Sequence, residues 1–349
     1  MWHNIPTLLP SVIPDGIYQE QKALIRRHTL HCMATVGQLC SIFDLFDKHG
    51  IVHVPYKGPV LACYLFDDFA MRSYGDLDIL ISAVDLPQVY ALLIANGYTP
   101  EVGMPQGQLA AYASVEDNLT FVSGRGVPVE IHWELSGRYL AKPIGLEEMS
   151  MRLSSVVMQG RTFSVFSPED HLVYLCLHGT KHCWAQLELI ACLAELLLKE
   201  SEIDWDLVFR VAEEYKCRRM VYIGLLLAQK VYCVELPDVV QFLVTGDKKA
   251  LYWCGKIFGS IQETGRETGP NDRTGQDERF SLFRLQVRDS RVDAVRYLLR
   301  MVFCPSKSEW KAFRLPSWLV FGYWIARPFR VLWSGIAGTF GGQWHNFRY

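Results

Sequence analysis

Asp76 and Asp78 stand two apart at the head of the run Asp76-Leu77-Asp78-Ile79-Leu80-Ile81-Ser82. The alternation and the apolar tail predict a strand, on which residues two apart leave the same face about 6.5–7 Å from each other. Two carboxylates so placed can share a pair of divalent cations about 3.5–4 Å apart. A D-x-D pair alone is more often an ordinary acid pair. A third acid changes that reading. Glu130 lies inside the apolar run Val127-Pro128-Val129-Glu130-Ile131-His132-Trp133, where a carboxylate is costly unless it is paired or holds a metal. The alternative for Glu130 is the exposed face of an edge strand. Lys57-Gly58 lies upstream at an expected strand-to-helix turn. Glycine lets the backbone approach a phosphate there, and a helix N-terminus favours anions.

His132 lies two after Glu130 and shares its face. It is placed either to touch an acceptor or metal-bound water, or to act as a core histidine bonded to backbone. His178 and His182 are four apart on an expected helix. That spacing suits zinc, but the glutamate of an H-E-x-x-H motif is missing between them. With Lys181 beside them, a phosphate-facing role and plain helix packing are the other readings.

The elements that must position these residues follow from periodicity. Residues 19–49 read as one helix ended by Gly50, 51–56 as a first strand, and 59–67 as a helix opening with proline. Strand 76–82, helix 86–96 and strands 119–122 and 127–135 follow, the last two joined by Ser123-Gly124-Arg125-Gly126. Beyond residue 165 the pattern turns helical. Two helices are expected in 168–198, one from Asp204 and one over 217–233. A polar, Gly-rich mobile loop is expected at 264–278, and a basic helix at 280–303 with Arg284, Arg288 and Arg291 along one side. That side reads as a solvated face or as a contact for an acidic acceptor such as RNA. The fold class is α+β. The expected organisation is an N-terminal helical arm (1–50), a catalytic core (51–160) and a helical domain (161–349).

The 349 residues are 50% hydrophobic and 21% charged, with a net charge of −2. Such a chain buries a sizeable core and does not wrap nucleic acid by bulk charge. None of the ten cysteines forms a C-x-x-C pair, and residues 1–14 lack the pattern of a signal peptide. Reduced thiols and a cytoplasmic setting are expected. Residues 318–340 are apolar but interrupted by Arg327-Pro328-Phe329-Arg330. A span of about 20 apolar residues is not met, so no transmembrane segment is expected. This segment either packs on the helical domain or lies on a membrane surface, for which Trp318, Tyr323, Trp324 and Trp333 beside arginines are suited.

Lys57-Gly58, Arg72-x-x-Gly75-Asp76-Leu77-Asp78, Val129-Glu130-Ile131-His132-Trp133 and Leu175-Cys176-Leu177-His178-Gly179-x-Lys181-His182-x-Trp184 together resemble the uncharacterised bacterial nucleotidyltransferase family of the polymerase-β superfamily. Ile203-Asp204-Trp205 and Ala326-Arg327-Pro328 match later landmarks, so the likeness runs over about residues 20–335. Lys57-Gly58 stands where the superfamily usually has Gly-Ser, Glu130 where Asp is common, and Cys192 where an acid is expected. The resemblance implies a polymerase-β-like core followed by a helical domain. It implies transfer of a nucleoside monophosphate from an NTP, ATP foremost, to an acceptor hydroxyl, with release of pyrophosphate. Asp76, Asp78 and Glu130 would hold Mg²⁺ or Mn²⁺, and Glu130 would help remove the acceptor's proton. Lys57 and Arg72 would neutralise phosphate charge, although a surface salt bridge serves Arg72 equally. The acceptor class stays open between a small molecule, a sugar, a peptide or protein side chain, and an RNA end. Two rivals remain. A D-x-D glycosyltransferase would have no use for Glu130 or Lys57-Gly58. A non-catalytic nucleotide-binding accessory protein of a biosynthetic cluster would have no need of all three acids.

Overall fold

The computed structural model describes residues 15–124, 126–137, 140–264, 282–313 and 315–340. Residues 1–14, Arg125 of the expected hairpin turn and, past Thr264, the loop expected at 264–278 lie outside them. A five-stranded mixed sheet forms the centre of the first half. Its strands are β1 (His53–Pro55), β2 (Leu77–Ile81), β3 (Thr99–Pro100), β4 (Asn118–Val122) and β5 (Val129–His132). They lie in the order β1-β2-β5-β4-β3. Only the β2/β5 pair is parallel. All five residues of β2 are buried, which explains its near-continuous apolar run.

Helices α1 (Asp15–Lys48), α2 (Gly58–Phe66), α3 (Leu86–Ala95), α4 (Leu109–Ala113) and α5 (Leu146–Met149) flank the sheet. A hairpin of β6 (Ser154–Met158) and β7 (Arg161–Val165) follows. Its turn holds Gln159 and Gly160 at φ of 52° and 77°, as a tight two-residue hairpin requires. Sequence periodicity did not disclose this hairpin, nor the two-residue β3 and the short α4. The expected strand 127–135 is shorter, Val129–His132, with one further backbone bond in the same register from Trp133 N–H to the Asp117 carbonyl at 3.1 Å.

Among the described residues, Lys22–Lys48 of α1 is the one helix long and apolar enough to cross a membrane by length and composition. Its second half is a core helix instead. Val36, Leu39, Ile42, Phe43 and Phe46 are buried at helical spacing. Gln38 clasps both backbone groups of Val127 at 2.9 Å. Arg161 of β7 ties down Asp44 and Asp47 at 2.5 and 2.7 Å.

The second half is helical: α6 (Pro168–Lys181), α7 (Leu187–Lys199), α8 (Trp205–Glu214), α9 (Arg218–Tyr232), α10 (Asp238–Gly246), α11 (Lys248–Thr264), α12 (Arg291–Phe303), α13 (Lys307–Ala312) and α14 (Gly322–Phe340). The start expected at Ser167 is present, with its hydroxyl accepting from Asp170 N–H at 3.2 Å. Asp204 likewise caps α8 through Leu207 N–H at 2.9 Å. Helix α9 packs against α6, α7 and α11 and is buried continuously from Met220 to Ala228. The architecture is the α+β class expected, a small mixed sheet with flanking helices and a C-terminal helical part.

The single basic helix expected at 280–303 is two. A helical stretch at 282–286 stops before Asp289 and Ser290. The Asp289 carboxylate accepts from Arg218 and Arg219 N–H, each at 2.9 Å. Ser290 then caps α12 at Asp293 N–H. Arg284, Arg288 and Arg291 therefore form no common helical side. Arg288 is 5% exposed, donates to the Leu140 and Arg284 carbonyls and lies 4.7 Å over the Tyr297 ring. It is a packing residue, neither a solvated charge nor an RNA contact.

Candidate active site

The turn between β1 and α2 comes first. Gly58 has φ +58°, and a Cβ there would sit 3.6 Å from the Asp76 carbonyl. An L side chain is strained in that region, so the glycine brings the N-terminus of α2 against the D-x-D segment. Pro59 follows within the first helical turn, where its missing N–H costs nothing. The turn thereby fixes Lys57, whose Nζ lies 2.7 Å from Asp78 Oδ1.

Strand register supplies the rest. In the parallel β2/β5 pair Asp78 faces Glu130, and in the antiparallel β4/β5 pair Thr120 faces Glu130 and Asn118 faces His132. Directly paired residues share a face, so Asp78, Glu130 and Thr120 form one row and His132 and Asn118 the next. His132 Nε2 lies 3.1 Å from Asp78 Oδ1 and 3.3 Å from Glu130 Oε2. Thr120 Oγ1 donates to Glu130 Oε1 at 3.4 Å. Asp78, Glu130 and His132 offer ligand atoms within 4.8 Å of one another. Asp76, one residue ahead of β2, flanks this group and feels the charges of Asp78 and Glu130.

Electrostatics sets the protonation states. Burial would raise the Asp78 carboxyl, but the Lys57 ammonium and the His132 ring outweigh it and hold it well below the ordinary range. Burial opposes ionisation of Glu130 too, and hydrogen bonding to His132 brings it down to about 2. Asp76 goes the other way, to about 6, through burial and the negative charge of Asp78, only partly offset by Lys57. The His132 imidazole is lowered by burial and raised more by Asp78 and Glu130, so it ends above its ordinary value. His132 is thus not a backbone-bonded core histidine; it bridges two carboxylates.

The donor set passes a physical test for a cation. Asp78 Oδ2 is buried and has no hydrogen-bond partner among the described residues, although Oδ1 has two. A buried carboxylate oxygen without a donor is costly. Hard oxygens from Asp78 and Glu130 match the preference of Mg²⁺ or Mn²⁺.

The wall opposite belongs to α6. Tyr174 packs edge-on to Tyr56 at 5.0 Å, and Tyr56 edge-on to His132 at 5.3 Å. His178 stacks on Tyr174 at 5.6 Å and meets His182 at 4.6 Å. Burial, reinforced by Lys57, His182 and Lys181, holds His178 well below its ordinary pKa, so its ring is neutral and lies within electrostatic range of Lys57 and Asp78. The spacing of this motif has a packing cause. A Cβ on Gly179 would come 2.5 Å from the Trp184 ring, so glycine there lets the fully buried indole fold back on α6.

Arg72 makes an ion pair, one of the two roles its sequence position suggests. Its Nε donates to Glu188 Oε1 of α7 at 2.8 Å. Sequence reasoning passed over Tyr56, Tyr174, Thr120 and Asn118. The two β4 residues carried a signal, since alternation places Asn118 and Thr120 on one face. The two tyrosines carried none.

Residues 2–232 match the model of a family described as uncharacterised nucleotidyltransferase. The chain belongs to that family. No curated protein matches it. Among solved structures it is similar to a lincosamide antibiotic adenylyltransferase, LnuA, in its lincomycin-bound form, at 18% identity and a TM-score of 0.30 over 39% of this chain and 83% of that one. It is also similar to an antigenic nucleotidyltransferase-like protein from Paracoccidioides brasiliensis, at 15% identity and a TM-score of 0.35 over 59% and 88% of the two chains. The mixed sheet thus lies within the part of the chain that matches this nucleotidyltransferase family, and helices α6 to α14 follow it.

Proposed function

We propose that this nucleotidyltransferase-family protein moves a nucleoside monophosphate from an NTP, ATP foremost, to an acceptor hydroxyl, using divalent metal held by Asp76, Asp78 and Glu130. The observation that carries the reading is the facing of Asp78 and Glu130 across β2 and β5, with Asp78 Oδ1 held by Lys57 and Asp78 Oδ2 buried and unpartnered. Bound Mg²⁺ or Mn²⁺ would supply Lewis-acid stabilisation of charge on the phosphoryl oxygens and the leaving pyrophosphate. The chain's own groups do the remaining work. Glu130, ionised at neutral pH, accepts the proton of the acceptor hydroxyl. His132 holds the Glu130 and Asp78 oxygens in place through Nε2. Lys57, fixed beside Asp78, and the α2 N-terminus at Gly58 favour an anionic triphosphate. His178, Lys181 and His182 on α6 meet the nucleotide from the helical side. Arg72, anchored on Glu188, joins the D-x-D segment to that side and adds positive charge near the phosphates.

The test is incubation of purified protein with each α-³²P NTP and Mg²⁺ or Mn²⁺, against cell extract and a panel of hydroxyl acceptors. Label transfer with pyrophosphate release, lost in Asp78→Asn, is the expected result. Metal-dependent binding of nucleotide sugars in place of NTPs would replace the reading with the glycosyltransferase. NTP binding without turnover under all conditions would replace it with the accessory protein.

A further inference from the structure

The last two long helices leave a surface that the catalytic reading does not use. Phe321, one residue ahead of α14, and Ile325, Phe329 and Leu332 on it recur at four, four and three residues and are 55, 56, 68 and 62% exposed. Trp318, in the turn just before, is 77% exposed. Tyr323 and Arg327, on the other side of the helix, are buried. On α12, Val292, Val295, Leu299 and Phe303 repeat the pattern at three, four and four residues, and each is more than half exposed. The two helices pack against each other. An apolar stripe at helical period normally faces a core, and contiguous exposure on this scale marks an interaction site.

Charge selects the partner. Residues 291–349 carry nine Lys and Arg against two acids, while the rest of the chain carries 26 against 35. Both acids are used internally. Asp293 pairs with the Ser290 hydroxyl at 2.6 Å and lies 3.4 Å from Arg296. Glu309 is fully buried and shared by Arg327 and Arg330 at 3.2 and 3.1 Å. Of the cations, Lys311 pairs with Glu101 outside the segment at 2.6 Å. Arg327 and Pro328 interrupt α14, so it does not have the character of a span. An amphipathic helix with aromatic anchors in a basic segment lies in the plane of an interface. A second copy of the chain on this face would set like charge against like, which costs stability.

We propose that the exposed faces of α14 and α12 dock on an anionic phospholipid bilayer surface, with Trp318, Phe321, Ile325 and Phe329 entering the headgroup region. The proposal stands apart from the transferase reading and needs no turnover. The experiment is flotation of the full chain with vesicles of phosphatidylcholine alone or with about 30% phosphatidylglycerol, enough to set a negative surface potential. Capture by the anionic vesicles, weakening with salt, is the expected result. The variants Ile325→Glu/Phe329→Glu and Trp318→Glu/Phe321→Glu should each lower capture by roughly tenfold or more, since each removes two apolar anchors. Thermal unfolding should leave at least one of them at the parental midpoint, because the residues touch solvent. Absence of capture by anionic vesicles overturns the proposal. So does capture unchanged in a variant that keeps its fold. A vesicle-free dimer by light scattering that these substitutions dissociate overturns it too, in favour of self-association.

Discussion

At the scale of single residues, the site turns on Asp78, which is only 3% exposed and yet ionised. Asp78→Asn keeps the shape and removes the charge. It should lower label transfer by at least about 100-fold, the consequence of losing a few kcal/mol of transition-state charge stabilisation, read as pyrophosphate release with fold verified by circular dichroism. Transfer at the parental rate would remove Asp78 from the chemistry. Lys57→Met makes a separate prediction. Breaking a buried ion pair by removing one partner costs about 3–5 kcal/mol, so the metal-free variant should melt below the parent. A divalent cation can then take the place of the lost ammonium. Mg²⁺ should therefore raise the melting midpoint of Lys57→Met by more than it raises the parent's, and equal increments would contradict the shared site. The acids were legible in the sequence because carboxylates inside apolar strands are chemically conspicuous. Their partners were not. Lys57 on Asp78 and His132 across Asp78 and Glu130 depend on register between segments 20 and more than 50 residues apart, which no local pattern encodes.

At the scale of elements, helix α6 links the two halves. Its start was readable from Ser167-Pro168-Glu169-Asp170, and its burial from residues 169–177 explains why its sequence lacks a clean polar face. The preceding β6–β7 hairpin was missed. Its strands are half exposed and alternate weakly, and Gln159 is an unusual residue for a left-handed turn position. The expected boundary at 160/161 falls at that turn. Within the first turns of α6, His171 is 1% exposed and stacks on Tyr64 at 5.0 Å and Phe166 at 5.2 Å. Burial holds it down to about 3. The unfolded histidine titrates near its ordinary value of about 6.5. Between those two values the unfolded chain binds a proton that the folded chain refuses, so stability falls as pH falls from about 6.5 toward 3. His171→Phe lacks this site. Between pH 7 and pH 5 its urea midpoint should fall less than the parent's, by the equivalent of roughly 1–2 kcal/mol. Parallel declines would place the acid sensitivity elsewhere.

At the scale of the whole molecule, the C-terminal helices are joined to the catalytic sheet through few but buried groups, and this was the part least visible in the sequence. The arginine spacing over 284–291 suggested one continuous basic helix, because the interruption at Asp289-Ser290 is created by α9, whose first N–H groups that carboxylate caps. Arg327 read as a landmark without a partner. It is 4% exposed, donates to the Met301 carbonyl at 3.1 and 3.2 Å and pairs with Glu309. Glu309 in turn accepts from the N–H of Ser306 at 2.6 Å at the start of α13. From there Lys307 reaches the sheet: its N–H donates to Glu116 at 2.6 Å and its ammonium to Asn118, the β4 residue facing His132. Arg327→Met removes a guanidinium that three elements share. It should cost on the order of 3 kcal/mol locally, since the buried Glu309 carboxylate loses one of its two arginine partners. Hydrogen exchange should then quicken first in α12, α13 and the amides around Glu116 and Asn118, while α6 and α9, packed in the core of the helical half, keep parental protection. Uniform quickening across the chain would mean that the C-terminal helices and the sheet unfold as one unit. The relay through Lys307 would then have no separate existence.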